Sequence, residues 1–211
     1  MRKIAVGQAG GPTAVINASL VGLINGLYEN SEIYAVMNGY QGVVEEDLER
    51  LEGPLYDWVR QHKDVPGCCL GSGRYPFTPE LIYKAVLNLK KHGIHTLVFI
   101  GGNGTMAALH KMSEIAQSIT YDLQVIGVPK TVDNDLSGTD HAPGFASASR
   151  YTALNVRDVS KDLEAMRNFE QVRIIETMGR NAGWLAFASG YYKNSELDGP
   201  HFIYLPAVAL H

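Results

Sequence analysis

Two aspartates, Asp133 and Asp135, stand two residues apart in the run Pro129-Lys130-Thr131-Val132-Asp133-Asn134-Asp135. One carboxylate of such a pair can take the proton from an attacking hydroxyl while the other holds Mg2+, a division of labour suited to phosphoryl transfer. The same residues also satisfy the pattern of an Asx-rich turn. Two glycine clusters, Gly10-Gly11 and Gly101-Gly102-Asn103-Gly104-Thr105, would let backbone N–H groups approach an anion closely, although tight strand-to-helix turns favour glycine as well. Arg74, in Leu70-Gly71-Ser72-Gly73-Arg74, and Arg180, in Met178-Gly179-Arg180, carry planar guanidinium groups that can clamp phosphate oxygens. Neither glycine cluster matches G-x-G-x-x-G or a Walker A motif, which argues against a NAD-binding Rossmann protein and a P-loop ATPase. The histidines lack metal-ligand spacing. The adjacent Cys68 and Cys69 make a relaxed disulfide unfavourable and read as small buried hydrophobes.

These residues need elements to hold them, and the pattern supplies strands that run into loops. Residues 3–7 read as a short buried strand, followed by the Gly10-Gly11 loop and a helix over about 14–29. A second strand spans 32–37, and a short helix includes 55–62. Thr78 caps a helix that starts at Pro79 and runs to Lys91, with Gly93 as a left-handed stop. The apolar run 96–100 leads into the second glycine cluster and a helix over 106–118. A third strand, 124–128, opens onto Lys130 and the aspartates. A helical segment over about 145–167, a strand over 171–176, a short helix at 184–188 and a strand over 201–205 follow. Apolar strands alternating with helices predict an α/β fold, a three-layer sandwich around a mostly parallel sheet, with ligands beyond the carboxyl ends of the strands.

The 211 residues carry 18 Lys+Arg against 22 Asp+Glu, a net charge of −4. That balance lacks the positive field of a nucleic-acid binder, so no nucleic-acid partner is expected. No apolar run is long enough to span a bilayer and no signal-peptide segment opens the chain; a cytoplasmic protein with no membrane partner is the expectation.

The five segments taken in order, from Gly10-Gly11 to Glu176-Thr177-Met178-Gly179-Arg180, resemble the phosphofructokinase family, closest to its pyrophosphate-dependent members. The resemblance covers essentially the whole chain. It implies a phosphotransferase of glycolysis that moves a phosphoryl group to the 1-hydroxyl of fructose 6-phosphate, with Asp133 as the base and Thr131 beside it. Asp135, together with Asn103, would hold Mg2+. Gly11, Arg74, Gly102, Asn103, Gly104 and Thr105 would bind the phosphoryl donor. Met178, Gly179 and Arg180, with Thr131 and Asp133, would bind the sugar, and Arg180 would also stabilise the transferring group. A donor-binding domain over 1–136, a partial substrate domain over 137–211 and a homo-oligomer are implied too. Lys130 stands where relatives using ATP carry glycine, which favours pyrophosphate over ATP. Three departures from the family pattern stand out: Asn103 replaces a usual acid, Ala207 replaces a sugar-binding glutamate, and the chain stops at His211, short of the family's usual length. They keep open a third reading, a truncated, catalytically silent fragment or binding subunit, which predicts exposed apolar surface around Phe202, Tyr204 and Leu205.

Overall fold

Runs of apolar residues without alternation demand strands covered on both faces, and the computed structural model, which describes residues 2–206, has them at its centre. In chain order the elements are β1 (Arg2–Gln8), α1 (Ile16–Leu27), β2 (Ser31–Val36), α2 (Tyr40–Glu45), β3 (Leu48–Arg50), α3 (Gly53–Gln61), α4 (Pro79–Lys91), β4 (Thr96–Gly101), α5 (Asn103–Ser118), β5 (Gln124–Pro129), α6 (Phe145–Ala165) and α7 (Trp184–Ala188). The sheet order is β3-β2-β1-β4-β5. β1 lies parallel to both β2 and β4, β4 lies parallel to β5, and β3 runs antiparallel on the outer edge of β2.

Strand alternation divides the core into two layers. Ala5, Leu97 and Phe99 face one side, where they meet Ile82, Val86 and Leu89 of α4 and Leu109 and Met112 of α5. Ile4, Val6, Val98 and Ile100 face the other, against Ile16, Leu20 and Ile24 of α1 and Val59 of α3. Each such side chain contributes about 1.5–3 kcal/mol when fully buried, so the layers hold the strand ends firmly. The expected boundary signals of α4 are present: the Thr78 hydroxyl accepts from Leu81 N–H at 3.5 Å, Pro79 opens the helix, Lys90 and Lys91 lie in its last turn, and Gly93 follows at φ +69°.

One buried polar cluster aligns the loops beyond these strands. Gln8, fully buried at the end of β1, must find partners for its amide. Its Nε2 donates to Asn17 Oδ1 at 2.9 Å, and its Oε1 accepts from Leu70 N–H at 3.0 Å. Asn17 Oδ1 also accepts from Cys69 N–H at 3.0 Å while its Nδ2 donates to the Val65 carbonyl at 2.9 Å. Segment 65–70 is thereby tied to β1 and α1.

Several boundaries differ from those read in the sequence. α1 begins at Ile16 rather than 14, and α5 begins at Asn103 rather than 106, so Asn103, Gly104 and Thr105 of the second glycine cluster lie in the helix's own first turn. α2 and β3 carry no local signal. Asn88 of α4 holds the short α2 by donating to the Val43 and Val44 carbonyls at 3.0 and 2.9 Å, and β3 exists through its pairing with β2. Residues 171–176 and 201–205 do not form strands: among the described residues neither segment pairs with another strand. Their apolar side chains are accordingly open, Ile174 at 90% and Phe202 at 78% exposure, and Tyr204 is exposed too, whereas Leu205 is half-buried. The chain divides into two compact units between Lys130 and Thr131, where the sequence suggested 136. No helix among the described residues is long and apolar enough to cross a membrane.

Asn17→Leu removes partners from Gln8, Val65 and Cys69 together; we expect a loss of about 1–3 kcal/mol in urea unfolding, and an unchanged midpoint would deny the cluster its role. A pair of glycine substitutions tests the packing. A Cβ at Gly7 would stand 2.5 Å from the fully buried Phe99 ring, whereas one at Gly22 on the exposed side of α1 meets nothing within 4 Å. Gly7→Ala should cost about 1–3 kcal/mol by overpacking, and Gly22→Ala should gain about 0.5–1 kcal/mol, both read from the same unfolding curves.

Candidate active site

The strand order places a topological switch point between β1 and β4, since the chain leaves β1 toward β2 on one side and returns to β4 on the other. Loops after such neighbouring strands diverge and leave a crevice at their carboxyl ends. Both glycine clusters lie there, one after β1 and one after β4. Lys130 joins them. Its backbone N–H donates to the Gly101 carbonyl at 3.0 Å, and its Nζ donates to the Gly11 carbonyl at 2.7 Å. The side chain is only 3% exposed, which sets a positive charge beneath the Gly10-Gly11 turn.

That turn is built for this arrangement. Gly10 has φ +78°, and a Cβ there would approach Lys130 Nζ to 3.2 Å. The Ser72 hydroxyl donates to the Gly10 carbonyl at 2.7 Å, bringing the Gly71-Ser72-Gly73-Arg74 loop against the turn. Gly71, also left-handed at φ +78°, leaves no space for a Cβ beside Asn38. Across the crevice, Gly101 must lack a Cβ because Thr105 packs on it, and Thr105 is buried. Gly102 caps α5, and Asn103 and Gly104 are exposed on its first turn. A Cβ at Gly11 or at Gly104 would meet nothing in the protein within 4 Å. Internal packing therefore does not demand glycine at these two positions, but close approach of an anion would. Arg74 is exposed on its loop.

The second unit opens with Thr131, whose N–H donates to the Pro143 carbonyl at 3.0 Å and whose hydroxyl accepts from Asp133 N–H at 3.1 Å. Asp133 is half-buried and Asp135 exposed. Gly179, at φ +107°, faces this turn: a Cβ there would collide with the Ala182 carbonyl and lie 3.8 Å from Asp133 Oδ1. Thr131, Asp133 and Gly179 are thus brought together, while Met178 and Arg180 are exposed on either side of Gly179. The sequence pointed to none of Gln8, Asn17 and Asn134 as individual contributors. A left-handed turn between two aspartates was the available signal for Asn134, since asparagine tolerates that conformation best after glycine.

Among the described residues, no three His, Cys, Asp or Glu side chains converge as a metal cage. Asn103 in the first unit and Asp135 in the second each expose a side-chain oxygen, the kind of donor that Mg2+ takes singly, with phosphate oxygens and water completing its shell. Cys68 and Cys69 are half-buried and free rather than fully buried. Burial pushes the Cys68 thiol up and that of Cys69 to about 11, away from the thiolate form that a nucleophile needs.

Comparison with known proteins identifies the relatives of the chain. Residues 3–210 match the phosphofructokinase family. The chain is 51% identical, over 97% of its length, to the sulfofructose kinase of Alkalicoccus urumqiensis, of which it covers 53%. It is 39% identical to the pyrophosphate–fructose 6-phosphate 1-phosphotransferase of Rhodospirillum rubrum, covering 97% of this chain and 50% of that protein. An ATP-dependent 6-phosphofructokinase of Staphylococcus epidermidis matches at 37% identity over 93% of this chain and 59% of its own. In three dimensions, the pyrophosphate-dependent phosphofructokinase of Marinobacter aquaeolei superposes with a TM-score of 0.85 at 34% identity, covering 100% of this chain and 54% of that one. The chain spans about half the length of the relatives it matches. Since the family match runs over residues 3–210 and the superposition takes in the whole chain, the chain belongs to the phosphofructokinase family.

Proposed function

We propose that the chain carries the phosphoryl-transfer half-site of a sugar phosphotransferase, acting from pyrophosphate on the 1-hydroxyl of fructose 6-phosphate. The observation that carries this reading is the buried ammonium of Lys130 under the Gly10-Gly11 turn, one residue before the Thr131–Asp135 segment. In the first unit, Gly11, Arg74 and the 102–105 turn hold the donor's phosphates, with the charge of Lys130 and the first-turn N–H groups of α5 opposing their negative charge. In the second, Asp133 takes the proton of the attacking hydroxyl while that oxygen bonds to phosphorus and the bridging P–O bond breaks, releasing orthophosphate. Thr131 holds the backbone of that base, and Met178, Gly179 and Arg180 receive the sugar. Mg2+, held by Asp135, Asn103 and the donor's phosphate oxygens, would supply charge neutralisation. Lys130 also limits the donor: its stem fills the floor where ATP would need space beyond its outer phosphates.

A second reading changes only the acceptor. The 51% identity to a sulfofructose kinase, against 39% to the pyrophosphate enzyme, favours sulfofructose in place of fructose 6-phosphate. Turnover measured with each of the two sugars against pyrophosphate and ATP decides both questions. Preference for pyrophosphate supports the donor assignment, preference for ATP overturns it, and activity confined to sulfofructose selects the second reading. No turnover with any pair would favour a binding role.

Asp133→Asn keeps the shape of the side chain but cannot accept the proton, so turnover should fall by about 10²- to 10⁴-fold with donor affinity unchanged; a near wild-type rate would remove Asp133 from the mechanism. Lys130→Gly should depress the pyrophosphate-dependent rate in a variant that retains a cooperative melt, and an unchanged rate would refute its role.

A further inference from the structure

The residue between the two aspartates has an unusual backbone and a side chain that bonds through both its oxygen and its nitrogen. Asn134 sits at φ +55°, in the left-handed region. Its Oδ1 accepts from Ala142 N–H at 2.7 Å and its Nδ2 donates to the Asp140 carbonyl at 3.0 Å. Thr131 N–H reaches the neighbouring Pro143 carbonyl at 3.0 Å. The turn is thus fastened to 140–143 twice, by backbone at one end and by the Asn134 amide at the other. That strip is itself anchored, since Ala142 is buried and α6 starts at Phe145.

A single left-handed residue reverses the chain locally, so its flanking side chains leave in different directions. Here one flank, Asp133, is half-buried beside Gly179, and the other, Asp135, is exposed. Without the amide clamp, the right-handed or extended backbone would be favoured at a non-glycine residue, and Asp133 would lose its place against Thr131 and Gly179.

We infer that Asn134 is a positioning residue that holds the Asp133 carboxylate by clamping a left-handed turn. This rests on the reading of Asp133 as the base. Three substitutions separate conformation from clamp. Asn134→Gly permits the turn but has no side chain, Asn134→Ala removes the clamp and disfavours the turn, and Asn134→Asp keeps the acceptor for Ala142 N–H while losing the donor to Asp140.

The test pairs steady-state kinetics with residue-resolved amide exchange on the intact chain. Asn134→Gly and Asn134→Ala should lower kcat by about 10- to 100-fold, the scale of a small misplacement, while KM for the sugar stays within about threefold of wild type. Exchange at Ala142 N–H and at Asp133 N–H, which is held by the Thr131 hydroxyl, should quicken by at least about tenfold. Asn134→Asp should keep Ala142 protected. Wild-type kcat in Asn134→Gly, or unchanged exchange at Asp133, overturns the inference, and so does a rise in KM with kcat intact. If the wild-type chain turns over no substrate, or Asp133→Asn stays active, the functional reading fails. Exchange at Asp133 then decides alone whether Asn134 sets the turn: faster exchange supports it and unchanged exchange rejects it.

Discussion

A lysine that is almost fully buried has to place its ammonium where oxygen can receive it, because an uncompensated charge away from water is far more costly than any single hydrogen bond. Lys130 meets this requirement at the Gly11 carbonyl while its own N–H closes onto Gly101. Loops following β1 and β4 therefore cannot be arranged independently. Gly10 must turn left-handed beside the ammonium, Ser72 reaches the same turn, and the Gln8–Asn17 cluster keeps the preceding segment in register. Gly11 and Gly104, which no internal contact requires to be glycine, are exposed in these two loops.

The second unit solves a related problem with neutral groups. The Thr131 hydroxyl accepts from Asp133 N–H and the Asn134 amide bonds the backbone at Asp140 and Ala142, so the residues on both sides of Asp133 are tied by hydrogen bonds. Gly179 contributes by what it lacks, since a side chain there would collide with the Ala182 carbonyl, close to Asp133. Charge on one side and neutral amides on the other follow from the chemistry proposed for each: phosphate must be attracted, whereas a proton acceptor must be oriented.

Much of this was legible in the residues. Continuous apolar runs marked β1, β4 and β5, and Thr78-Pro79 with Gly93 marked both ends of α4, because these signals act within a few residues of chain. The run around Asp133 stood out only in combination, because turns by themselves favour glycine and aspartate, whereas two glycine clusters, Lys130 and paired aspartates following successive strands are a less ordinary set. What stayed hidden depends on distant partners. Gln8 and Asn17 read as ordinary amides until Cys69 and Leu70 are folded against them. α2 waits on Asn88, and β3 waits on β2. Residues 171–176 have the alternating, β-branched character of a strand, yet a strand is a relation between two segments and no partner stands beside this one among the described residues.

That last segment also bears on how the polypeptide fares in a crowded cell. Val172 and Ile174 project into water, and an exposed β-branched stretch of this kind is what a molecular chaperone or a growing cross-β stack can recruit. Arg173 lies between them and is drawn to Asp162, at 2.8 Å, and to Glu170. Its guanidinium acts as a gatekeeper, fastening the segment back to α6 and placing a charge within what would otherwise be an uninterrupted sticky stretch.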